Sequence, residues 1–268
     1  MTRDEPRSGV TTTERSLEIV AVIQRLEGAT LATVTEEVGL ARSTAFKHLA
    51  TLTRRGYLAK EGERYHVGLK FHHRGEYARL RKPAYRLAGE AVRDLAERTS
   101  EEVDFVVEND GRAITIHESY HPSNPYRDDL VRGTDALSRS GTYYHMHCVG
   151  GGKAILAAYP PERVRDVLDR WGLPERTDRT ITTEAALATD LEEIRERGYA
   201  ITDEEYAEGL RSIGVAVREP DDTVVGGLSM SVPTYRQTAA EFEERAAPLI
   251  REAGEALERA IAEAGPGV

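Results

Sequence analysis

The sequence predicts an α+β protein made of two domains, and its 268 residues are enough for each domain to bury a core of its own. Within residues 1–68, three short amphipathic segments precede one alternating segment, which predicts three helices and a hairpin. Within residues 83–268, alternating apolar segments occur in pairs around turn residues, and helical patterns separate the pairs. A basic helical stretch over residues 69–82 predicts a linker helix between the two domains.

The first helix is predicted over residues 14–27. Apolar side chains recur there at spacings of three and four, as they do on one face of an α-helix. They are Leu17, Val20, Ile23 and Leu26, with Ile19 beside them. The threonines at positions 11–13 offer hydroxyl groups that can cap the first turn, and Gly28 is expected to end the helix.

The stretch "TLATVTEEVGL" predicts a short second helix. Its apolar residues Val34 and Val38 are four apart and are expected to face inward. Either Thr30 or Thr33 can cap its start, and Gly39 is typical of the turn that ends a helix.

A third helix and a hairpin complete the first domain. "ARSTAFKHLATLTRRG" places Ala45, Leu49 and Leu52 on one stripe and is expected to stop at Gly56. "YLAKEGERYHVG" alternates around a turn at residues 61–62, as a two-stranded hairpin does. Three helices with a tight turn between the second and third, followed by a hairpin, predict a winged helix-turn-helix.

The third helix lies in a stretch with an unusual charge. Residues 39–60 contain five basic residues and no Asp or Glu, although the whole chain has 36 basic and 46 acidic residues. Carboxylates on a helix in the major groove would face phosphates, so their absence indicates contact with double-stranded DNA. The predicted contacts are Arg42, Ser43, Thr44, Lys47, His48 and Thr51 on the helix, and Arg64 near the hairpin tip. The competing interpretation is a solvated face that lacks acids by chance.

The second domain is predicted from turns and breakers. "VDFVVENDGRAITIHES" is a hairpin around residues 109–111, and "GGGKAILAAYPPERVRDVLDRW" is two helices split at residues 160–161. A further helix ends at Gly198 before a strand, and a second hairpin turns at residues 220–222. A long amphipathic helix closes the chain despite Pro248. Strand pairs packed on helices predict an α+β sensor-like domain.

Two segments of the second domain contain residues that could form a nucleotide-binding or a metal-binding site. "HCVGGGKA" (147–154) has His147 and Ala154 where a phosphate-binding loop needs Gly and Ser or Thr, so nucleotide hydrolysis is not expected. Its glycines instead suit the close approach of a ligand or a packed strand, and helix amides there suit a carboxylate.

"HMHC" (145–148) supplies two imidazoles and a thiol that could bind zinc. On a strand, His145 and His147 would share a face and Cys148 would point away, while His117 and His121 are further imidazoles without a cluster of their own. Partly buried polar residues are the competing interpretation, and a metal-binding enzyme or sensor stays open as the alternative function. No motif of a nucleophilic or zinc hydrolase occurs, so an enzyme and a cofactor are not expected.

Six motifs in sequence order resemble the IclR family of transcriptional regulators over nearly the whole chain. They are "ERSLEIV", "LARSTAFKHLATLTRRGYL", "YHVGLK", "MHCVGGGKAILAA", "LEEIRERGYAITDEEYAEGLRSIGVAV" and "VVGGLSMSVP". The resemblance implies a homodimer or dimer of dimers, a DNA-binding winged helix, and a C-terminal GAF-like domain that binds a small-molecule effector and changes operator binding.

The resemblance also implies which residues bind the effector. They are Tyr144, Met146, Gly150, Gly151, Thr202, Asp203, Ser212, Ser229 and Ser231. This chain has Ser212 where the family commonly has Cys, and glycines at 150–152 in place of the usual Thr-Ala-x-Gly pattern before the lysine. These small side chains predict a larger pocket or a different ligand from the best-known carboxylate effectors. From the residues alone, Ser229 and Ser231 are two apart on a strand and share a face.

Composition limits the cellular setting. The chain has one cysteine, a polar N-terminus and no long apolar run, which predicts a cytoplasmic protein without a membrane segment. Only five of the 36 basic residues are lysine, and such acid-rich, lysine-poor sequences are similar to those of halophilic organisms. The negative net charge therefore describes solubility and does not exclude an anionic partner.

Overall fold

The computed structural model describes residues 9–120 and 140–265. The chain divides into two compact units, Met1–Arg79 and Leu80–Val268. The N-terminal unit contains helices α1 (Thr11–Arg25), α2 (Leu31–Val38), α3 (Arg42–Arg54) and α4 (Lys70–Leu80), and strands β1 (Ala29–Thr30), β2 (Leu58–Glu61) and β3 (Arg64–Val67).

Helix α1 faces the core with a different stripe from the one predicted. Ile19, Val22 and Ile23 are buried, whereas Leu17 is 60% exposed. The inward stripe therefore begins at Ile19, two residues later than the apolar pattern suggests. The threonine run does not cap the helix, because Val10 is the N-cap residue and no side chain forms a cap hydrogen bond.

Helices α2 and α3 form the predicted helix-turn-helix. Thr30 caps α2 by accepting a hydrogen bond from the Thr33 amide at 3.2 Å, and Gly39 ends it in a left-handed conformation (φ 65°) that suits glycine. Ala45 and Leu49 are fully buried in the core of this unit, while Leu52 is only partly buried. This packing fixes which side of α3 faces outward.

The hairpin belongs to a small antiparallel sheet. Within the described part of the N-terminal unit, three strands pair in the order β1-β3-β2. Strand β1 was not predicted, because two residues carry no periodic pattern. The predicted turn was one residue early: Glu61 pairs with Arg64, so the tip is formed by residues 62–63.

The C-terminal unit is a helix–sheet–helix arrangement. Its helices are α5 (Pro83–Thr99), α6 (Gly150–Ala158), α7 (Pro161–Trp171), α8 (Glu184–Arg197) and α9 (Ala239–Ala264). Its strands are β4 (Glu102–Asn109), β5 (Arg112–Tyr120), β6 (Tyr143–Tyr144), β7 (Ala200–Asp203), β8 (Leu210–Arg218) and β9 (Val224–Pro233). Among the described residues, these six strands form one antiparallel sheet in the order β6-β5-β4-β9-β8-β7.

The two faces of the sheet carry separate cores. Side chains of α5 and α9 pack on one face with Val103 and Phe105, and side chains of α6, α7 and α8 pack on the other with Val106. The alternation along β4 explains this, because neighbouring residues of a strand point to opposite faces. Helix α9 runs unbroken through Pro248 and begins with a Thr238–Glu241 capping box.

His145 and His147 do not lie on a strand. Strand β6 ends at Tyr144, and a short 3-10 helix follows over Met146–Cys148. The turn that leads into the glycines of α6 requires this compact backbone, so the two histidines do not alternate along a strand.

Candidate functional site

The outward face of α3 carries most of the predicted DNA contacts. Because Ala45 and Leu49 face the core, the residues on the opposite side are exposed. Four predicted residues lie there, Ser43, Thr44, Lys47 and Thr51, and Arg42 is exposed at the first turn of the helix. Their cations and hydroxyl groups are the types that contact phosphates and base edges.

The charge of this face is unopposed within its unit. The ion pairs of the described N-terminal unit join Arg15 to Glu18, Arg25 to Glu37 and Arg79 to Glu76, all outside α3. Among the described residues, no carboxylate forms an ion pair with Arg42, Lys47 or Arg54. The surface therefore presents net positive charge to an approaching polyanion.

Two predicted DNA contacts are already engaged within the unit. The His48 ring is half-buried, and its Nδ1 lies 2.8 Å from the Ser16 hydroxyl of α1. The Arg64 guanidinium is exposed at the hairpin but donates to the Gly28 carbonyl at 2.5 Å. Both side chains thus brace the fold locally. The hairpin tip itself is flanked by exposed Glu61 and Glu63.

A small cavity lies where the start of α6 meets the sheet of the C-terminal unit. Its volume is about 30 Å³, room for little more than one or two water molecules. The cavity is lined by Asp104, Val106, Tyr144, Val149, Gly150, Gly151, Thr202, Tyr206, Leu210, Ser212, Ser229 and Ser231. Seven of the nine predicted effector residues are therefore brought together. This volume is smaller than expected, because the small side chains at residues 150–152 and 212 predicted a larger pocket.

Strand register assembles the polar lining. Thr202 on β7 pairs with Ser212 on β8, and Ser212 pairs with Ser231 on β9. Two residues further along the same face, Ser229 pairs with Asp104 on β4. Hydroxyl groups and one carboxylate consequently line two adjacent cross-strand rows.

Hydrogen bonds already link these groups to one another and to the helix. The Thr202 and Ser212 hydroxyl oxygens are 2.6 Å apart, and the Gly150 amide donates to the Ser212 hydroxyl at 3.2 Å. The Ser229 hydroxyl donates to the Asp104 carboxylate. The cavity thus offers donors and acceptors together, with an apolar wall where the Tyr144 and Tyr206 rings meet edge to face at 5.1 Å.

The glycines before Lys153 are required by packing against the sheet. A Cβ on Gly214 of β8 would lie 2.6 Å from the Gly150 carbonyl carbon, and one on Gly151 would lie 2.7 Å from a Val106 methyl group. Side chains here would push α6 off the sheet and open the cavity. Of the two roles predicted for these glycines, close approach to a packed strand is the one the structure supports.

Two predicted effector residues lie outside the cavity. Met146 is buried in the core formed with α6, α7 and α8. Asp203 follows Thr202 on β7 and so points the other way, where it forms ion pairs of 2.6 Å with Arg211 and Arg179. The alternation of the strand decides this correction.

Sequence reasoning missed Asp104, Val106, Val149, Tyr206 and Leu210 in the cavity lining. The sequence gives one indication that Asp104 is unusual, because this charged residue interrupts the apolar run "VDFVV". Its partner on β9 lies 125 positions away, and only the strand pairing reveals that it faces the serines.

Lys153 anchors the loop that carries Tyr206. Its side chain is 1% exposed, and its Nζ lies 2.7 Å from Glu205 and 2.8 Å from Asp190. Burial raises the pKa of Glu205 above its ordinary value. The lysine is enclosed and cannot extend to a phosphate, which agrees with the expectation that the glycine stretch is not a nucleotide loop.

The side chains of His147 and Cys148 are buried inside the C-terminal unit. Burial lowers the pKa of His147 to about 4, and the ring donates to the Pro174 carbonyl at 3.2 Å. Burial raises the pKa of Cys148 to about 12, so this thiol stays protonated and unreactive. Among the described residues, no group of three or more His, Cys, Asp or Glu is placed to hold a metal ion. His117 bonds to the Tyr85 carbonyl, and His121 lies outside the described residues.

A winged helix-turn-helix with a cationic third helix, joined to a domain with a small polar cavity, defines a ligand-responsive DNA-binding regulator. Family models match both units: "IclR helix-turn-helix domain" over residues 12–62 and "Bacterial transcriptional regulator IclR C-terminal" over residues 81–259. The chain belongs to the IclR family, whose members are transcriptional regulators with a DNA-binding and a ligand-binding domain.

Individual relatives match along nearly the whole chain. The probable HTH-type transcriptional regulator ArcR of Halobacterium salinarum is 32% identical over 95% of this chain and 94% of its own length. A crystal structure of a putative transcriptional regulator from Rhodococcus sp. RHA1 covers 96% of this chain and 100% of that one, with a TM-score of 0.78 and 20% identity. An IclR homologue from Microbacterium hydrocarbonoxydans, complexed with 4-hydroxybenzoate, covers 93% and 97% with a TM-score of 0.72 and 22% identity.

The matches confirm the predicted fold class and family. No helix in residues 9–120 or 140–265 is both long and apolar enough to span a membrane.

Proposed function

We propose that α3 of this regulator enters the major groove of its operator. Arg42, Ser43, Thr44, Lys47 and Thr51 contact phosphates and base edges, because all of them are exposed on this helix. The observation that carries this proposal is the absence of carboxylates between residues 39 and 60 on an otherwise acidic chain. Each cation neutralises phosphate charge and releases a counterion.

We assign supporting roles to His48 and Arg64. His48 holds α3 against α1 through Ser16, and Arg64 holds the hairpin to the Gly28 backbone. The carboxylates beside the hairpin tip disfavour close phosphate contact there. Recognition therefore depends on α3 far more than on the tip of the wing.

The regulator is proposed to act as a homodimer or dimer of dimers in the cytoplasm. A helix-turn-helix that binds as a dimer reads two half-sites about one helical turn apart, which raises both affinity and specificity. The acid-rich composition and the relative from Halobacterium salinarum support a salt-rich setting. Light scattering on a sizing column measures the assembly directly.

We propose that the effector is a small hydroxylated organic acid. A carboxylate would accept hydrogen bonds from the amides at the start of α6 and from Ser212, as anions do at helix N-termini. A hydroxyl group of the ligand would donate to Asp104 beside Ser229. The Microbacterium relative holds a hydroxy acid too, although the cavity here suits a smaller one.

Gel-shift titration tests the DNA proposal. Duplexes selected from a random-sequence pool by the full-length protein serve as probes. Lys47→Glu is expected to weaken binding roughly 100-fold or more, because it removes a cation and places a carboxylate against phosphates. Arg259→Glu on α9 makes the same change of net charge and should bind like the wild type. Equal binding by Lys47→Glu would remove α3 from the interface.

Thermal unfolding with matched acids tests the effector proposal. Glycolate and lactate are compared with acetate and propionate, which lack the hydroxyl group. A bound ligand stabilises the native state by mass action, so the hydroxy acids should raise Tm and the plain acids should raise it less. Asp104→Ala, which removes the proposed acceptor of the ligand hydroxyl group, should abolish the difference, and Thr189→Ala on α8 should keep it. Equal shifts from both kinds of acid would contradict the proposal.

A further inference from the structure

The exposed face of α3 contains a large apolar side chain among its polar residues. Phe46 is 53% exposed, although its helix neighbours Ala45 and Leu49 are fully buried. On a helix, residues three and four apart lie side by side. Phe46 therefore stands beside Arg42, Ser43 and Ala50, at one edge of the proposed DNA-binding face.

The neighbours of Phe46 leave about half of its surface uncovered. Ser43 and Ala50 are small, exposed residues, and Lys47 beside them is exposed as well. The aromatic contacts of the described N-terminal unit lie elsewhere, with Tyr57 on Phe71 and Lys60 over Tyr65. The ring has the reach of a long side chain and no hydrogen-bonding group of its own.

A phenyl ring in the major groove can distinguish one base from the others. Guanine, adenine and cytosine present hydrogen-bonding groups at their edges, and an apolar ring pressed on these would leave them unsatisfied. Thymine adds a 5-methyl group, which is the apolar feature of that groove. A phenyl ring buries this methyl group at no cost in lost hydrogen bonds.

We infer that Phe46 is a specificity-determining residue that contacts the 5-methyl group of a thymine in the operator. The inference rests on the proposed function, in which α3 enters the major groove. The charge of Lys47 attracts the phosphates of any DNA sequence. Phe46, by contrast, selects a T·A pair at one position of each half-site.

Deoxyuridine substitution isolates this contact, because uridine lacks only the 5-methyl group and keeps its base pairing. Each thymine of the selected duplex is replaced in turn, and dissociation constants are measured for the wild-type full-length protein. At one thymine per half-site, binding should weaken about fourfold, the effect of losing one buried methyl group.

The same titration with variants completes the cycle. Phe46→Ala should bind the thymine and deoxyuridine duplexes equally at that position, and Phe46→Leu should retain part of the preference. Lys47→Ala is the matched control, since it should weaken binding to both duplexes alike and keep their ratio. Because Phe46 is exposed, the variants should unfold at the wild-type temperature, which circular dichroism checks.

The outcomes separate the inference from the function it rests on. If Lys47→Ala weakens binding while wild type and Phe46→Ala show the same thymine-to-deoxyuridine ratio at every position, Phe46 does not read a methyl group and the inference fails alone. If Phe46→Ala changes the oligomeric state of the protein without DNA, the ring packs against a second copy of the chain and the inference also fails. If Lys47→Glu binds as well as the wild type, the proposed DNA-binding face fails first.

Discussion

Lys47 and Lys153 show how differently the two units use charged groups. Lys47 lies exposed on α3 without an ion pair among the described residues, whereas Lys153 is 1% exposed and contacts two carboxylates. On α3 of the N-terminal unit, the charge faces outward. In the C-terminal unit it is neutralised internally, and the cavity is left with hydroxyl groups, amides and Asp104. Our proposals therefore rest on electrostatic attraction at the α3 face and on hydrogen-bond geometry at the cavity.

Replacing each lysine by methionine separates the two uses most strongly. Lys153→Met leaves Glu205 buried without its cation and leaves Asp190 with only the Arg197 guanidinium at 4.0 Å, which is expected to cost about 3–5 kcal/mol in the free energy of unfolding. Lys47→Met should change stability by no more than about 0.5 kcal/mol and weaken DNA binding instead. Urea unfolding of both variants measures this. A stable Lys153→Met protein would mean that the buried ion pair does not hold the Tyr206 loop.

The pH dependence of stability is the next largest expected effect. Burial holds the pKa of His147 at about 4, below its ordinary 6.5. The unfolded state therefore takes up a proton first as pH falls, and stability should drop by roughly 2–3 kcal/mol between pH 6.5 and 4. His147→Gln should remove this part of the pH dependence. Parallel curves for wild type and variant would show that the histidine does not titrate as proposed.

Two glycine-to-alanine substitutions that should change stability in opposite directions test the packing of α6. Gly214→Ala should destabilise by about 1–3 kcal/mol, because its Cβ would lie 2.6 Å from the Gly150 backbone. Gly75→Ala in α4 meets open space and should stabilise by up to about 1 kcal/mol through helix propensity. Thermal unfolding compares them. Equal effects would show that α6 can shift away from the sheet without loss.

The sequence predicted the two sites to different degrees because they are built differently. The α3 face is local: thirteen consecutive residues carry both its core stripe and its charges, so periodicity and charge indicate it directly. The contact between His48 and Ser16 could not be predicted in this way, because it depends on how α1 packs against α3.

The cavity is assembled from five strands and the start of a helix, and register decides its members. Resemblance supplied seven of its residues, but strand alternation excluded Asp203 and cross-strand pairing added Asp104. Single-sequence patterns do not fix the register between strands more than a hundred residues apart. The location of the cavity could be predicted from the sequence, but which charged and polar side chains line it could not.

The salt dependence of operator binding tests the central claim most directly. The logarithm of the association constant is plotted against the logarithm of the salt concentration for wild type and Lys47→Ala. If Lys47 neutralises a phosphate, the slope should become shallower by about one in the variant, with Arg259→Ala unchanged. A slope that is identical in Lys47→Ala and wild type would contradict DNA contact by the exposed face of α3.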